Sequence, residues 1–255
     1  MAIMRPLFEL RQVSCRFGSL SALADISLQI YPQERVALVG PSGAGKSTLL
    51  SLLNGALVPS EGEVWVLGQN LAAATSRQRR QIQRQIGMVY QQHHLVSNLS
   101  VIHNVNAGHL GRWPLWKALW SLLWPLQVNS AAQALAQVGI ADKLYARTDR
   151  LSGGQQQRVA IARVLVQNPA AILADEPIAS VDPARSQEVM DLLRHLNETT
   201  GKTLVISLHD INFARSHCDR IVGLRDGKIL FDCPAAKASD RLFSQLYALS
   251  PVGGN

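Results

Sequence analysis

Only three cysteines occur in this 255-residue chain, Cys15, Cys218 and Cys233, and their wide separation matches neither a zinc site nor a C-x-x-C pair. The expectation is inert thiols in a reducing compartment. No run of 18 or more apolar residues occurs, and Met1 to Leu10 lacks the apolar core of a secretory signal. This predicts a cytoplasmic protein that reaches a membrane only by docking on another protein's helices. Acidic residues are outnumbered, 18 Asp and Glu against 25 Lys and Arg, for a formal charge of +7. That balance suits phosphate ligands, an anionic membrane or nucleic acid, and alone selects none of them. Repeats and low-complexity linkers are missing as well. With 47% hydrophobic residues the chain can bury a core as one domain, or one domain with a subdomain, which excludes wholesale disorder.

What is present begins with Val36-Ala-Leu-Val39, an apolar run suited to a buried strand. It meets Gly40-Pro41-Ser42-Gly43-Ala44-Gly45-Lys46-Ser47-Thr48, and a helix is predicted over Leu49–Leu53, stopping near Gly55. This is the G-x-x-x-x-G-K-[ST] phosphate loop in its strand-to-helix setting. Glycines permit the tight turn, backbone N–H groups point inward, and the helix dipole favours an anion. Lys46 would add a charge at the β- and γ-phosphates, and Ser47 a hydroxyl for Mg²⁺.

Alternating pieces between Phe8 and Ile30 predict antiparallel strands, and Tyr31 to Glu34 a turn. Phe17 is a packing aromatic or a ring stacked on adenine, and spacing alone favours packing. Gly62–Val66 is a further strand, with Gly68-Gln69-Asn70 as its turn. Arg77, Arg80 and Arg84 share one helix face; without interleaved aromatics, a solvated face is the better reading than a nucleic-acid site. Ile86–Tyr90 is an apolar run followed by Gln91. From Leu95 to Arg150 the pattern turns helical. Within it Trp113, Trp116, Trp120 and Trp124 recur at helical spacing between Gly111 and Pro125. That helix has room for only about three turns, too short for a bilayer. It either turns a stripe to the core or exposes an aromatic patch to a membrane protein or a lipid interface. Short helices at Ala131–Val138 and Gln156–Gln167, a strand at Ala170–Ala174, a helix over Glu188–Thr199 and a strand at Leu204–Leu208 follow. Asp226-Gly227 joins Arg220–Leu224 to Lys228–Phe231 as a hairpin, and Pro234 to Asn255 is expected to be a peripheral helix and loose tail.

Gly40, Gln91, Asp175-Glu176 and His209 each follow an apolar run, and in an open parallel α/β sheet such ends gather along one crevice. Asp175 is placed for a Mg²⁺ carboxylate and Glu176 for a general base. Gln91 is a candidate to orient water or Mg²⁺, and His209 to hydrogen-bond the γ-phosphate. Leu151-Ser152-Gly153-Gly154-Gln155 forms a second anion cradle, with Ser152 as N-cap and a helix N-terminus behind it. Either both cradles grip one ATP, or each completes a site on another copy of the chain.

Gly40 to Thr48, Gln91, LSGGQ at 151–155, ILADEP at 172–177, SVDP at 180–183 and His209 together resemble, in order, the ATPase subunits of ABC transporters. The resemblance covers nearly the whole chain. It implies a RecA-like P-loop α/β core with an antiparallel β subdomain (residues 1–91 and 156–233), an α-helical subdomain carrying the signature (92–155) and a C-terminal tail (234–255). It also implies ATP and Mg²⁺ as ligands and a head-to-tail homodimer in which Ser152, Gly153, Gly154 and Gln155 act on the partner's ATP. Asp182 then communicates across the dimer, and Phe17 takes the adenine-stacking place. His103–Arg112, the Trp-containing insert, Leu173–Ser180 and Asp219–Lys228 look like the phosphonate-importer branch, with Ala174 where the wider family has a bulkier aliphatic. The partners implied are transmembrane permease subunits and, through the complex, an external substrate-binding protein, with the chain peripheral on the cytoplasmic face of the inner membrane and no nucleic acid. The competing readings are an exporter or lipoprotein-release ATPase, and a soluble ABC protein acting on DNA or ribosomes.

Overall fold

A computed structural model describes residues 5–92, 94–179 and 182–248. In chain order the elements are β1 (Phe8–Phe17), β2 (Leu20–Ile30), β3 (Arg35–Val39), α1 (Lys46–Leu53), β4 (Glu61–Val66), β5 (Gln69–Asn70), α2 (Ser76–Gln83), β6 (Ile86–Val89), α3 (Val101–Asn106), α4 (Leu115–Leu123), α5 (Val128–Gln137) and α6 (Gly153–Gln167). They continue with β7 (Ala171–Asp175), α7 (Pro183–Thr200), β8 (Thr203–Leu208), α8 (Ile211–His217), β9 (Arg220–Arg225), β10 (Lys228–Pro234) and α9 (Asp240–Tyr247). The chain forms two compact units, one from the residues up to Ala74 together with those from Thr203 onward, the other from Thr75 to Lys202.

In the first unit an antiparallel sheet runs β2-β1-β4-β5, and a second set runs β10-β9-β3-β8. β3 is parallel to both β8 and β9, while β9 and β10 form a hairpin. A strand buried on both faces needs a continuous apolar run, as Val36 to Val39 supplies, each of them fully buried. The hairpin turns at Asp226 and Gly227, both at positive φ (49° and 74°), the two-residue geometry that Asp-Gly favours. Behind the loop, Leu49, Leu50, Leu52 and Leu53 of α1 are wholly buried, each stabilising by about 2 kcal/mol relative to exposure.

One expectation changes here. Gln69 and Asn70 are a short strand against Val66 and Trp65, and the turn falls one step earlier at Leu67-Gly68, where both residues take positive φ. The expected C-terminal helix is present and docks by one face: Phe243 and Leu246 are buried, and Phe243 meets Phe231 edge to face at 5.7 Å between ring centres. Residues 249–255 lie outside the described part.

The second unit pairs β6 with β7 in parallel and packs α3 and α5 on α6. α6 begins with a capping box, Ser152 Oγ accepting from the Gln155 amide and Gln155 Oε1 from the Ser152 amide, and ends at Asn168 in the left-handed region before Pro169. α7 starts on Asp182 as N-cap and stops at Gly201. The tryptophan helix α4 does not turn its stripe to a core; Trp116 is 72% exposed, and Trp120 and Trp124 are exposed as well.

Candidate nucleotide site

In the first unit the loop after β3 is closed by backbone geometry that only glycine tolerates. Gly40 and Gly45 both sit at positive φ (153° and 101°); a Cβ on Gly40 would collide with the Leu224 carbonyl, and one on Gly45 would lie 2.6 Å from the Ala22 oxygen. Gly45 is also the N-cap of α1 and brings no capping side chain, so the helix turns its positive end to the loop. Lys46, only 5% exposed, donates from Nζ to the Gly40 and Pro41 oxygens at 2.8 and 3.1 Å. Its ammonium is thereby folded across the mouth of the loop, while Ser42, Gly43 and Ser47 are exposed. The result is a concave, cationic cradle suited to phosphate.

β3 and β8 pair with Val39 opposite Leu208, so Gly40 and His209 leave neighbouring strands side by side. Tyr247, which belongs to no motif, joins them: its hydroxyl donates to the His209 oxygen at 3.4 Å. Burial raises the Tyr247 phenol above its usual range, and Asp210 adds to the rise while a hydrogen bond with the Gly40 backbone opposes it. Asp210 itself caps α8, accepting from the Asn212 and Phe213 amides. Phe17 is half exposed at the tip of the β1–β2 hairpin, two residues beyond the Cys15–Leu23 rung, or about 7 Å along the strand. Leu23 packs against Gly45, so the ring stands near the cradle and is not a core residue.

The second unit repeats this logic. Val89 lies opposite Ala174, so Gln91 and the Asp175-Glu176 pair emerge from adjacent strand ends. Gln91 is exposed and the two acids are half buried. Glu176 takes φ 46°, a left-handed conformation that costs a non-glycine residue about 1 kcal/mol or more and marks a constrained backbone at a candidate catalytic position. Helix α6 ties these segments to the second cradle. The buried Gln157 amide donates to the Pro177 oxygen, and Arg163 donates to the His94 oxygen at 2.8 Å, its guanidinium pKa lowered by burial. Neither tie was visible beforehand, although a glutamine on the apolar face of a helix is the kind of signal that announces one.

The glycines of the second cradle differ from those of the first. Gly153 has no positive φ, and a Cβ there would meet nothing within 4 Å; at Gly154 it would meet only the Arg185 side chain, at 3.6 Å. Among the described residues, neither backbone conformation nor packing calls for glycine at either position. Arg185 also pairs with Asp182 at 3.3 Å, so the α7 cap is joined to the signature helix through one side chain. Ser180 and Val181 of the same motif lie outside the described residues.

Comparison with known proteins decides the family. A model described as ABC transporter matches residues 23–179. The chain belongs to the ABC transporter family. It is 48% identical over 242 residues to a protein of Anaeromyxobacter dehalogenans named phosphonates import ATP-binding protein PhnC, covering 95% of this chain and 48% of that relative, about half its length. It is 43% identical over 235 residues to a Pseudomonas putida protein of the same name, covering 92% and 87%. Among solved structures, the dimeric post-hydrolysis state of the ATP-binding cassette MJ0796 bound to ADP and phosphate superposes with a TM-score of 0.75 at 33% identity, covering 89% of this chain and 98% of that one. The fold is therefore that of an ABC ATPase cassette, and ATP is the ligand of its family. Among the described residues no helix is long and apolar enough to cross a membrane.

Proposed function

We propose that this chain is the ATP-hydrolysing subunit of an importer for phosphonate or a related phosphorus compound, working as a head-to-tail homodimer beneath a separate permease. The observation that carries the dimer is Gly153, a glycine unexplained within its own chain at the N-terminus of a helix that presents amides to an anion. The names of the relatives support the cargo. An external binding protein would deliver it, and the chain would sit peripherally on the cytoplasmic face of the inner membrane.

In this reading Gly40 to Thr48 wrap the phosphates of ATP, Lys46 exchanges its two loop carbonyls for β- and γ-phosphate oxygens, and Phe17 stacks on adenine. Ser47, Asp175 and Gln91 supply the hard oxygen donors that suit Mg²⁺, an ion that takes few protein ligands and keeps its waters and phosphates. When bound, the ion neutralises charge between the β- and γ-phosphates. Glu176 takes the proton of the attacking water, Gln91 orients that water, and His209 hydrogen-bonds the γ-phosphate. Ser152 to Gln155 of the partner close over the same phosphate, and Asp182 reports across the dimer. Closure and release then drive the permease.

Two measurements test this proposal. ATP turnover per chain should rise with protein concentration as dimers form. Cells deleted for the gene should lose growth on phosphonate or phosphite as sole phosphorus source; unimpaired growth would defeat the cargo assignment and leave the ATPase assignment standing.

A further inference from the structure

Helix α4 is amphipathic the wrong way round for a globular protein. At about 100° per residue, Leu122, Leu115, Leu119, Leu123, Trp116 and Trp120 occupy a continuous arc of about 160°. All six are exposed. The opposite side, which faces the protein, carries Ala118, Lys117 and the buried Ser121, whose hydroxyl donates to the Ala118 oxygen at 2.7 Å. Small and polar residues thus point inward, and leucine and tryptophan point out.

The charge around this helix is equally lopsided. From Val64 to Ala141 the chain has no aspartate or glutamate and six bases, Arg77, Arg79, Arg80, Arg84, Arg112 and Lys117, so nearly the whole net charge of the protein lies in this segment. Arg84 lies against Gly111, just ahead of the helix. Lys117 sits over the Trp113 ring at 5.1 Å, and Trp113 stacks on His109. The outward arc offers a protein partner almost nothing to hydrogen-bond, only indole N–H groups, whereas stable protein interfaces carry regular polar pairs. Leucine with tryptophan beside bases is instead the composition that settles at the boundary of acyl chains and anionic headgroups.

We propose that α4 is a lipid-seating helix, which lies in the plane of an anionic bilayer with its leucine and tryptophan arc in the headgroup boundary and Arg84 and Arg112 against lipid phosphates. At nine residues it spans about 13 Å and cannot cross the membrane. This contact involves none of the nucleotide-binding residues and does not depend on the cargo.

Four of the five tryptophans lie between Trp113 and Trp124, so intrinsic fluorescence of the full chain reports on this helix directly. With mixed phosphatidylcholine and phosphatidylglycerol vesicles the emission should shift to the blue and be quenched by brominated acyl chains, and added salt should reverse both. Trp116→Ser with Trp120→Ser should weaken partitioning about tenfold or more while ATP turnover is kept. Replacing Arg84 and Arg112 by Gln should weaken it about fivefold per charge. Emission unmoved by the mixed vesicles, moved equally by pure phosphatidylcholine, or moved only when purified permease is present would overturn the proposal.

Discussion

Gly153→Ala separates what the chain needs from what its ligand needs. Gly153 is the first residue of α6, takes no positive φ and, among the described residues beyond its own helix, has no heavy atom within 4 Å of where a Cβ would stand. Alanine in a helix is favoured over glycine by about 0.5–1 kcal/mol, because the unfolded chain loses less freedom. For a protein of this size that gain raises the melting temperature by about 1–3 °C. In the proposed dimer the same methyl group would stand where a γ-phosphate approaches the helix amides. Losing one set of preorganised donors to a developing charge typically costs about 10²–10³ in rate. The assay is paired: thermal unfolding without nucleotide, and steady-state ATP turnover at saturating ATP. The expected result is a more stable protein with kcat lowered at least tenfold. A stabilised variant with wild-type turnover would refute the signature site, and a destabilised variant would refute the open space around Gly153.

Other expectations follow from the same geometry. Glu176→Gln should lower kcat by about 10²–10⁴ while ATP binding, followed by equilibrium dialysis, is retained; a modest loss would remove Glu176 from the role of base. Gly40→Ala forces a Cβ onto the Leu224 carbonyl and should cost more than about 2 kcal/mol in urea unfolding, whereas an unchanged midpoint would show that the loop relaxes around it. The Cys218 thiol is pushed up to about 12, mainly by burial and further by Asp219, so the folded protein holds a proton that the unfolded chain releases near pH 9. Stability is therefore lost as pH rises from about 9 towards 12, by at most about 1.4 kcal/mol per pH unit from this group. Cys218→Ala should lose stability less steeply over that window, and identical slopes would contradict the assignment.

Much of the site was legible because its chemistry is written in contiguous residues. The loop Gly40 to Thr48, the acids after β7 and the cap at Ser152 are local signals, each a strand end or helix start that periodicity places. The register of β3 on β8 and of β6 on β7 then sets Gly40 beside His209 and Gln91 beside Asp175, as expected for strand ends in a parallel sheet. What stayed hidden depends on partners distant in sequence. Tyr247 meets His209 only because α9 folds back, and Gln157 and Arg163 look like ordinary helix residues until their acceptors, Pro177 and His94, are located. The left-handed backbone of Glu176 has no sequence signature, since glutamate, unlike glycine, asparagine or aspartate, does not announce positive φ. Tryptophan periodicity revealed α4, but periodicity cannot say which way a stripe faces, and here it faces out.

The central claim is that each loop holding ATP is completed by the signature of another copy, and a mixing experiment tests it most directly. Lys46→Ala disables the phosphate loop and leaves Ser152 to Gln155 intact, while Gly154→Asp places a carboxylate at the signature and leaves the loop intact. Each variant alone should be nearly inactive. Mixed in equal amounts, they should form heterodimers in which one sound loop faces one sound signature, and ATP turnover should reappear. A mixture as inactive as its components, with heterodimers verified by differential tagging, would contradict the account.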